Sequence, residues 1–204
     1  LPLPAWDLVD LAARDRFAAR VVRASGRPRW QFRIDGRTLP VITSRGCPFR
    51  CAHCSSNPDV APGEPKTQRR ASRGRLERLL GALVREHGAT RLTVLDELVN
   101  VNAAHFDAVL ELVERLDVAL EVPNGFRADY LRREHLERLR GRVTTVSVSA
   151  ESGNQRVLDE VVRKQLDLTE IERVAADAHA VGVPLMVHWM VGLPGESAAE
   201  VNDT

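Results

Sequence analysis

The chain has 204 residues, 44% hydrophobic and 28% charged, which suits one domain of ordinary size with a real core and excludes a disordered chain. Its 29 basic and 28 acidic residues leave a net charge of +1, so no broad electrostatic claim on nucleic acid is indicated. Every basic residue except Lys66 and Lys164 is an arginine, and the arginines run along the whole chain, which reads as coding bias before phosphate recognition.

Asp7 to Val22 reads as a helix with Leu8, Leu11, Ala12, Val21 and Val22 on one side. Trp30, Phe32 and Ile34 then alternate before Asp35-Gly36, a hairpin signature whose returning arm is Leu39, Val41 and Thr43. Residues 1–38 are therefore taken as an extension packed on the edge of the first strand, and 39–204 as the main domain. That first strand, Leu39 to Thr43, runs through Ser-Arg-Gly into a cysteine loop, and Asn57 to Lys66, with three prolines, follows as a further loop.

Arg75 to His87 carries Leu76, Leu79, Leu80, Leu83 and Val84 at helical spacing, and Gly88 stops it. Arg91 to Leu95 is the second strand and ends in Asp96-Glu97. Asn102 caps a helix bearing Phe106, Val109, Leu110, Val113 and Leu116. Val118 to Val122 is the third strand, leading to Asn124-Gly125 and a helix over Tyr130 to Arg140. Val143 to Val148 is the fourth, followed by Ser149-Ala150-Glu151-Ser152-Gly153. Thr169 and Glu172 form a capping box for a helix through Val174, Ala178 and Val181. Val183 to Val191 is the fifth strand, and Gly192-Leu193-Pro194-Gly195-Glu196 leads into a last helix just begun at Thr204.

Five strands joined by helical crossovers make a parallel α/β sheet, either open or rolled into a barrel. Polar or glycine-rich residues follow all five strands, which places them on the carboxyl rim where such folds put their chemistry. No apolar run approaches the roughly 20 residues of a membrane span, and the first residues lack the pattern of a signal peptide. Because the chain starts without Met and stops just after a motif, it is expected to be part of a longer protein.

Cys47, Cys51 and Cys54 are the only cysteines, and an odd number cannot complete a disulfide framework. They could be buried thiols, a redox pair with a spare, or zinc ligands with His53. Structural zinc sites usually draw on two separated segments, and His53 lies between two of the cysteines, where it tends to point away from a shared centre. The preferred reading is an iron–sulfur cluster. Three thiolates on a cubane leave one iron open to an outside ligand, unlike the four-cysteine clusters that only carry electrons.

The spacing Cys-x-x-x-Cys-x-x-Cys after the first strand of an α/β chain resembles the radical S-adenosylmethionine superfamily. Thr43 to Cys51 is similar to the cluster loop of its cobalamin-binding branch, and Leu92 to Glu97 to the acidic turn after that branch's second strand. Ser149 to Leu158 is similar to its Glu-Ser-Gly segment, Val191 to Glu196 to its fifth-strand signature, and the opening Leu-Pro-Ala-Trp-Asp-Leu to its interdomain stretch. The resemblance implies a partial (β/α)6 barrel of which five strand–helix units are visible, with cobalamin held by a domain absent from this chain.

It further implies that Cys47, Cys51 and Cys54 bind three irons of a [4Fe–4S] cluster and that S-adenosylmethionine chelates the fourth. Reductive cleavage to a 5′-deoxyadenosyl radical would then serve methyl transfer, cyclisation or rearrangement of a small molecule. Asp96 or Glu97 would accept from the methionine ammonium, and Ser149 and Glu151 would hold the ribose hydroxyls. His53 takes the place of the family's usual Phe or Tyr beside adenine, on which Val191 could also pack. His87, His105, His135 and His179 read as ordinary surface or interface residues, and His188 as a satisfied core histidine. A reductant such as flavodoxin or ferredoxin and a reducing cytoplasm are expected, without a membrane or nucleic-acid partner. The alternatives are a tRNA methylthiotransferase-like radical enzyme, which would need flanking domains, and a non-catalytic zinc module.

Overall fold

The computed structural model describes residues 2–25, 33, 36–56 and 67–204, so the expected hairpin through Trp30, Phe32 and Ile34 and the loop 57–66 lie outside it. Its first long helix, α1 (Leu11–Ala24), starts later than the apolar pattern suggests, because the Asp10 carboxylate accepts from the Ala13 N–H at 2.8 Å and fixes the end there. Of the segment before it, Pro4 lines a groove along the first strand with Pro40 and Val41. Trp6 and Leu11 pack on the main core, and Leu3, Pro4 and Trp6 line a groove with Leu79 and Leu83.

Strands and helices then alternate in the expected order. They are β1 (Thr38–Val41), β2 (Ser44–Arg45), β3 (Arg69–Arg70), α2 (Arg73–Gly81), β4 (Arg91–Val94), α3 (Ala103–Arg115), β5 (Ala119–Glu121) and α4 (Arg133–Leu139). After them come β6 (Val146–Glu151), α5 (Leu168–Val181), β7 (Leu185–Trp189) and α6 (Ala198–Asp203). β1, β4 and β5 are parallel neighbours, with Leu39 opposite Leu92 and Leu92 opposite Leu120. β6 and β7 are also parallel, with Val148 opposite Val187. Between β5 and β6 one bridge, Phe126 with Val148, joins the two groups. The short pair β2–β3 is antiparallel and sits where β1 hands over to the cysteine loop. This is the parallel α/β architecture expected from the strand–helix alternation, in the part-barrel form that the resemblance implies.

Alternation along the strands builds the core. Leu39 and Val41, Leu92 and Val94, Leu120 and Val122, and Val146, Val148 and Ala150 face the helices and are 0–4% exposed. Leu76, Leu80 and Leu83, Phe106, Leu110 and Val113, and Leu136, Leu139 and Val174 cover them from the helical layer. Each such side chain contributes about 1.5–3 kcal/mol of transfer free energy. Helix α2 changes its hydrogen-bond spacing after Gly81, continuing as a π-type turn over Ala82–Glu86 before Gly88 (φ +68°) ends it.

Several expected boundaries move, among them those of the fifth strand, which spans Leu185–Trp189. The fourth strand begins at Val146 and extends through Glu151, because Thr144 turns its hydroxyl to Glu121 at 2.5 Å instead of pairing in the sheet. The helix expected over Tyr130 to Arg140 is a single turn at Ala128–Tyr130 followed by α4. The cap of α5 is Asp167, whose Oδ1 accepts from both the Thr169 N–H (2.9 Å) and its hydroxyl (2.7 Å), so Thr169 donates instead of capping. Among the described residues no helix is long and apolar enough to cross a membrane.

Candidate functional site

The cysteine loop is held at its base by one buried carboxylate. Asp96, fully buried at the end of β4, accepts from the Thr43 N–H (2.7 Å), the Thr43 hydroxyl (2.6 Å) and the Ser44 hydroxyl (2.5 Å). The Thr43 hydroxyl spends its proton on Asp96, so His105, 2.9 Å away, must donate from Nε2. Ser44 in turn accepts from Gln68 at 3.1 Å. Gly46 then turns the chain with φ +89°, and a Cβ there would strike the Thr67 carbonyl oxygen at 2.6 Å. Its N–H donates to Glu97 Oε2 at 3.1 Å.

Past this turn Cys47, Cys51 and Cys54 are reduced, half-buried thiols on one cavity of about 170 Å³. The Cys54 N–H closes the loop on the Cys51 carbonyl at 3.1 Å, and the Ala52 N–H ties it to the Val162 carbonyl at 2.8 Å. Burial pushes the Cys47 and Cys51 thiols above their ordinary range, while Arg127 pulls on both in the opposite direction and Lys164 pulls on Cys51. A metal would take their protons on binding. Among the described residues no three His, Cys, Asp or Glu side chains gather closely enough for one metal ion, whereas a cluster spreads its thiolates over separate irons.

The opposite wall comes from β6. A bulge between Ser149 and Glu151 leaves Glu151 at φ +71°, a conformation uncommon for a non-glycine residue. That turn sends its carboxylate into the cavity, where Lys164 Nζ lies 2.8 Å from Oε1 and 2.6 Å from the Ser149 carbonyl. Lys164 is 7% exposed and flanked by Arg163 and Gln165, both with φ above +50°. The strained turn therefore points one buried ammonium at the site. Asn124 joins the rim by donating to the Asp96 carbonyl at 2.9 Å. A larger groove of about 890 Å³ runs along β1, lined by Val41, Ile42 and Leu79 among others, and holds none of the cysteines.

The structure brings together His53, Glu97, Ser149 and Glu151 with the three cysteines, and His53 Nε2 lies 4.0 Å from Glu151. It does not bring Asp96 or Val191 there. Asp96 is spent on Thr43 and Ser44, and Val191 is 66% exposed, outside the cavity lining. His105 and His135, expected near the surface, are buried, and burial lowers both below their ordinary range. His188 shares the inner face of the sheet with Ser147, its Nε2 2.7 Å from that hydroxyl.

Sequence reasoning missed Lys164 and Arg127. Lys164 carried a signal, since a lysine kept in a chain that otherwise uses arginine stands out. Arg127 carried none beyond its place just after Asn124-Gly125.

Residues 41–204 match the family model of the Radical SAM superfamily. Among curated proteins, the cytidylyl-2-hydroxyethylphosphonate methyltransferase of Streptomyces wedmorensis is 23% identical over 98% of this chain and 37% of its own length. An uncharacterized methyltransferase of Pyrococcus horikoshii is 26% identical over the whole chain and 40% of its own length. The chain thus spans about two fifths of the curated relatives it matches. Among solved structures, the radical S-adenosylmethionine methyltransferase TsrM of Kitasatospora setae, with cobalamin and a [4Fe–4S] cluster bound, superposes on 81% of this chain and 33% of its own (TM-score 0.66, 20% identity). The cobalamin-dependent radical enzyme OxsB, with S-adenosylmethionine bound, does so on 81% and 25% (TM-score 0.64, 16% identity). At these identities the structural likenesses speak for the fold.

Proposed function

The chain belongs to the Radical SAM superfamily, and from that premise we propose that its cavity binds a [4Fe–4S] cluster and S-adenosylmethionine. The observation that carries the reading is three reduced thiols from one loop on a cavity that also holds buried charges of both signs. Cys47, Cys51 and Cys54 would hold three irons and leave the fourth for the methionine moiety. When bound, a reduced cluster supplies the electron that splits the sulfonium into methionine and a 5′-deoxyadenosyl radical.

The remaining charges suit that ligand. Glu97, which accepts from the Gly46 N–H, is the acceptor for the methionine ammonium. Lys164 is the donor for the methionine carboxylate, exchanging part of its bond to Glu151. Ser149 and Glu151 take the ribose hydroxyls, and His53 stacks near adenine. Phe49 and Phe126 on the same cavity keep water from the reacting centre. The overall reaction is methyl transfer to a small molecule, a reading supported by two relatives named as methyltransferases, with cobalamin held by a separate domain. A flavodoxin- or ferredoxin-type reductant in a reducing cytoplasm would supply electrons.

The test is iron, sulfide and zinc per chain after anaerobic reconstitution of wild type and Cys51→Ala. Near four irons and four sulfides in wild type, falling sharply in the variant, with 5′-deoxyadenosine formed from S-adenosylmethionine, supports the reading. About one zinc and no sulfide in folded protein rejects it in favour of a zinc-stabilised binding module.

A further inference from the structure

Arg127 has no part in the ligand set above, yet it is 4% exposed beside that cavity. All three nitrogens of its guanidinium donate. Nε donates to both Asp129 oxygens (2.8 and 3.1 Å), Nη1 to the Lys164 carbonyl (2.9 Å) and Nη2 to the Gln165 carbonyl (2.5 Å). Its flat face lies on Phe49, with Cζ 3.7 Å from the ring centroid. Phe49 stands midway between Cys47 and Cys51. The Arg127 backbone is fixed as well, exchanging hydrogen bonds with the Asn100 side chain at 3.1 and 2.9 Å.

A charge buried this deeply gives up most of its hydration, a cost that a clamp for one phenyl ring does not call for. Its counter-ion is placed unevenly. Asp129 is 28% exposed, so water screens the carboxylate more than the guanidinium. The cavity therefore feels a net positive charge from this pair. In a poorly solvated site such a charge favours whichever state of a neighbouring centre is more negative.

We infer that Arg127 is a positioning residue that raises the reduction potential of the centre held by the cysteine loop, by fixing Phe49 across the cavity and keeping a buried positive charge beside Cys47 and Cys51. The inference rests on the cluster reading proposed above. Adding one electron makes the centre more negative by one unit, and the guanidinium offsets part of that charge without itself gaining or losing a proton.

The experiment is an anaerobic redox titration of the reconstituted protein, followed by the electron paramagnetic resonance signal of the reduced cluster, alongside iron and sulfide content. Wild type, Arg127→Lys, Arg127→Met and Asp129→Asn are compared. With cluster content unchanged, Arg127→Met is expected to disfavour reduction about tenfold, a midpoint lower by about 59 mV for one electron. Arg127→Lys keeps the charge and should stay near wild type, whereas Asp129→Asn should move the midpoint upward. A packing defect would not produce shifts of opposite sign. Equal midpoints at full cluster content overturn the inference and leave the cluster reading intact. If Arg127→Met loses the cluster, the exposed-side variant Asp129→Asn decides, and an unchanged midpoint there reduces Arg127 to a structural clamp. Absence of iron and sulfide from wild type defeats the cluster reading itself, and the inference with it.

Discussion

Replacing Asp96 by Ala removes the carboxylate from which the cysteine loop hangs, and the structure allows the loss to be sized. Three hydrogen bonds reach it, two from hydroxyls and one from a backbone N–H, all at 2.5–2.7 Å and all buried. Taking the low end of about 1.5 kcal/mol for a hydrogen bond to a charged group, Asp96→Ala should cost about 4–5 kcal/mol. For a chain of this size that is about 10–15 °C in Tm. Asp96→Asn keeps one oxygen for the Thr43 N–H, but its amide meets two hydroxyls that already accept from His105 and Gln68. A loss of about 1–2 kcal/mol is expected there. Both variants should be unfolded chemically in metal-free protein, so that cluster loss cannot account for the difference, with Glu97→Gln as a near-neutral control. Metal-free Asp96→Ala within about 1 kcal/mol of wild type would refute the pin, since the desolvation of three orphaned donors exceeds that. Wild-type stability of Asp96→Asn combined with lost S-adenosylmethionine binding would return Asp96 to the role of ligand.

Other consequences can be measured in the same preparations. Lys164→Met should leave iron content unchanged and weaken S-adenosylmethionine binding tenfold or more by calorimetry, because a charged hydrogen bond of about 1.5–3 kcal/mol is lost. Gly153→Ala should destabilise by about 1–3 kcal/mol and loosen α6 in amide exchange, since an added Cβ collides with the Asp203 carbonyl. Acid should weaken the fold early. Burial holds His105 and His135 below their ordinary 6.5, so the unfolded chain binds protons that the folded chain refuses. Their contribution is complete above pH 6.5 and declines as pH falls beneath it. Tm should drop between pH 7 and 5.5, less steeply in His135→Gln, and a flat profile would count against the burial argument.

Much of the fold could be read from the chain because its signals are local. Asn102 at a helix start, Gly182 at a helix end and the apolar pairs Leu92 and Val94 or Val146 and Val148 act within a few residues. The fourth strand was displaced because Ser149 and Glu151 look like loop residues, although their polarity belongs to the inner face of the sheet. The cysteines were legible because three ligands fall within eight positions. Asp96 and Glu97 were not separable by chemistry, but strand alternation distinguishes them. Asp96 continues the buried row of Leu92 and Val94, and Glu97 falls on the other side, toward the rim. Contacts such as Arg127 on Phe49 or Lys164 on Glu151 join distant segments through bent backbone, and no local pattern encodes them.

The bridge between Phe126 and Val148, single among the described residues, has a mechanical consequence. It divides the strands into two leaves, with few backbone hydrogen bonds between them, and the cavity straddles the division. Glu97, Asn124 and Arg127 belong to one leaf, and Ser149, Glu151 and Lys164 to the other. Opening along this line breaks fewer strand-to-strand hydrogen bonds than opening within either leaf, but it must also break the Arg127 bonds to the Lys164 and Gln165 carbonyls. Any ligand that touches both walls acts as a staple across it. Its binding energy then appears partly as stiffness, which slows amide exchange in strands the ligand never touches.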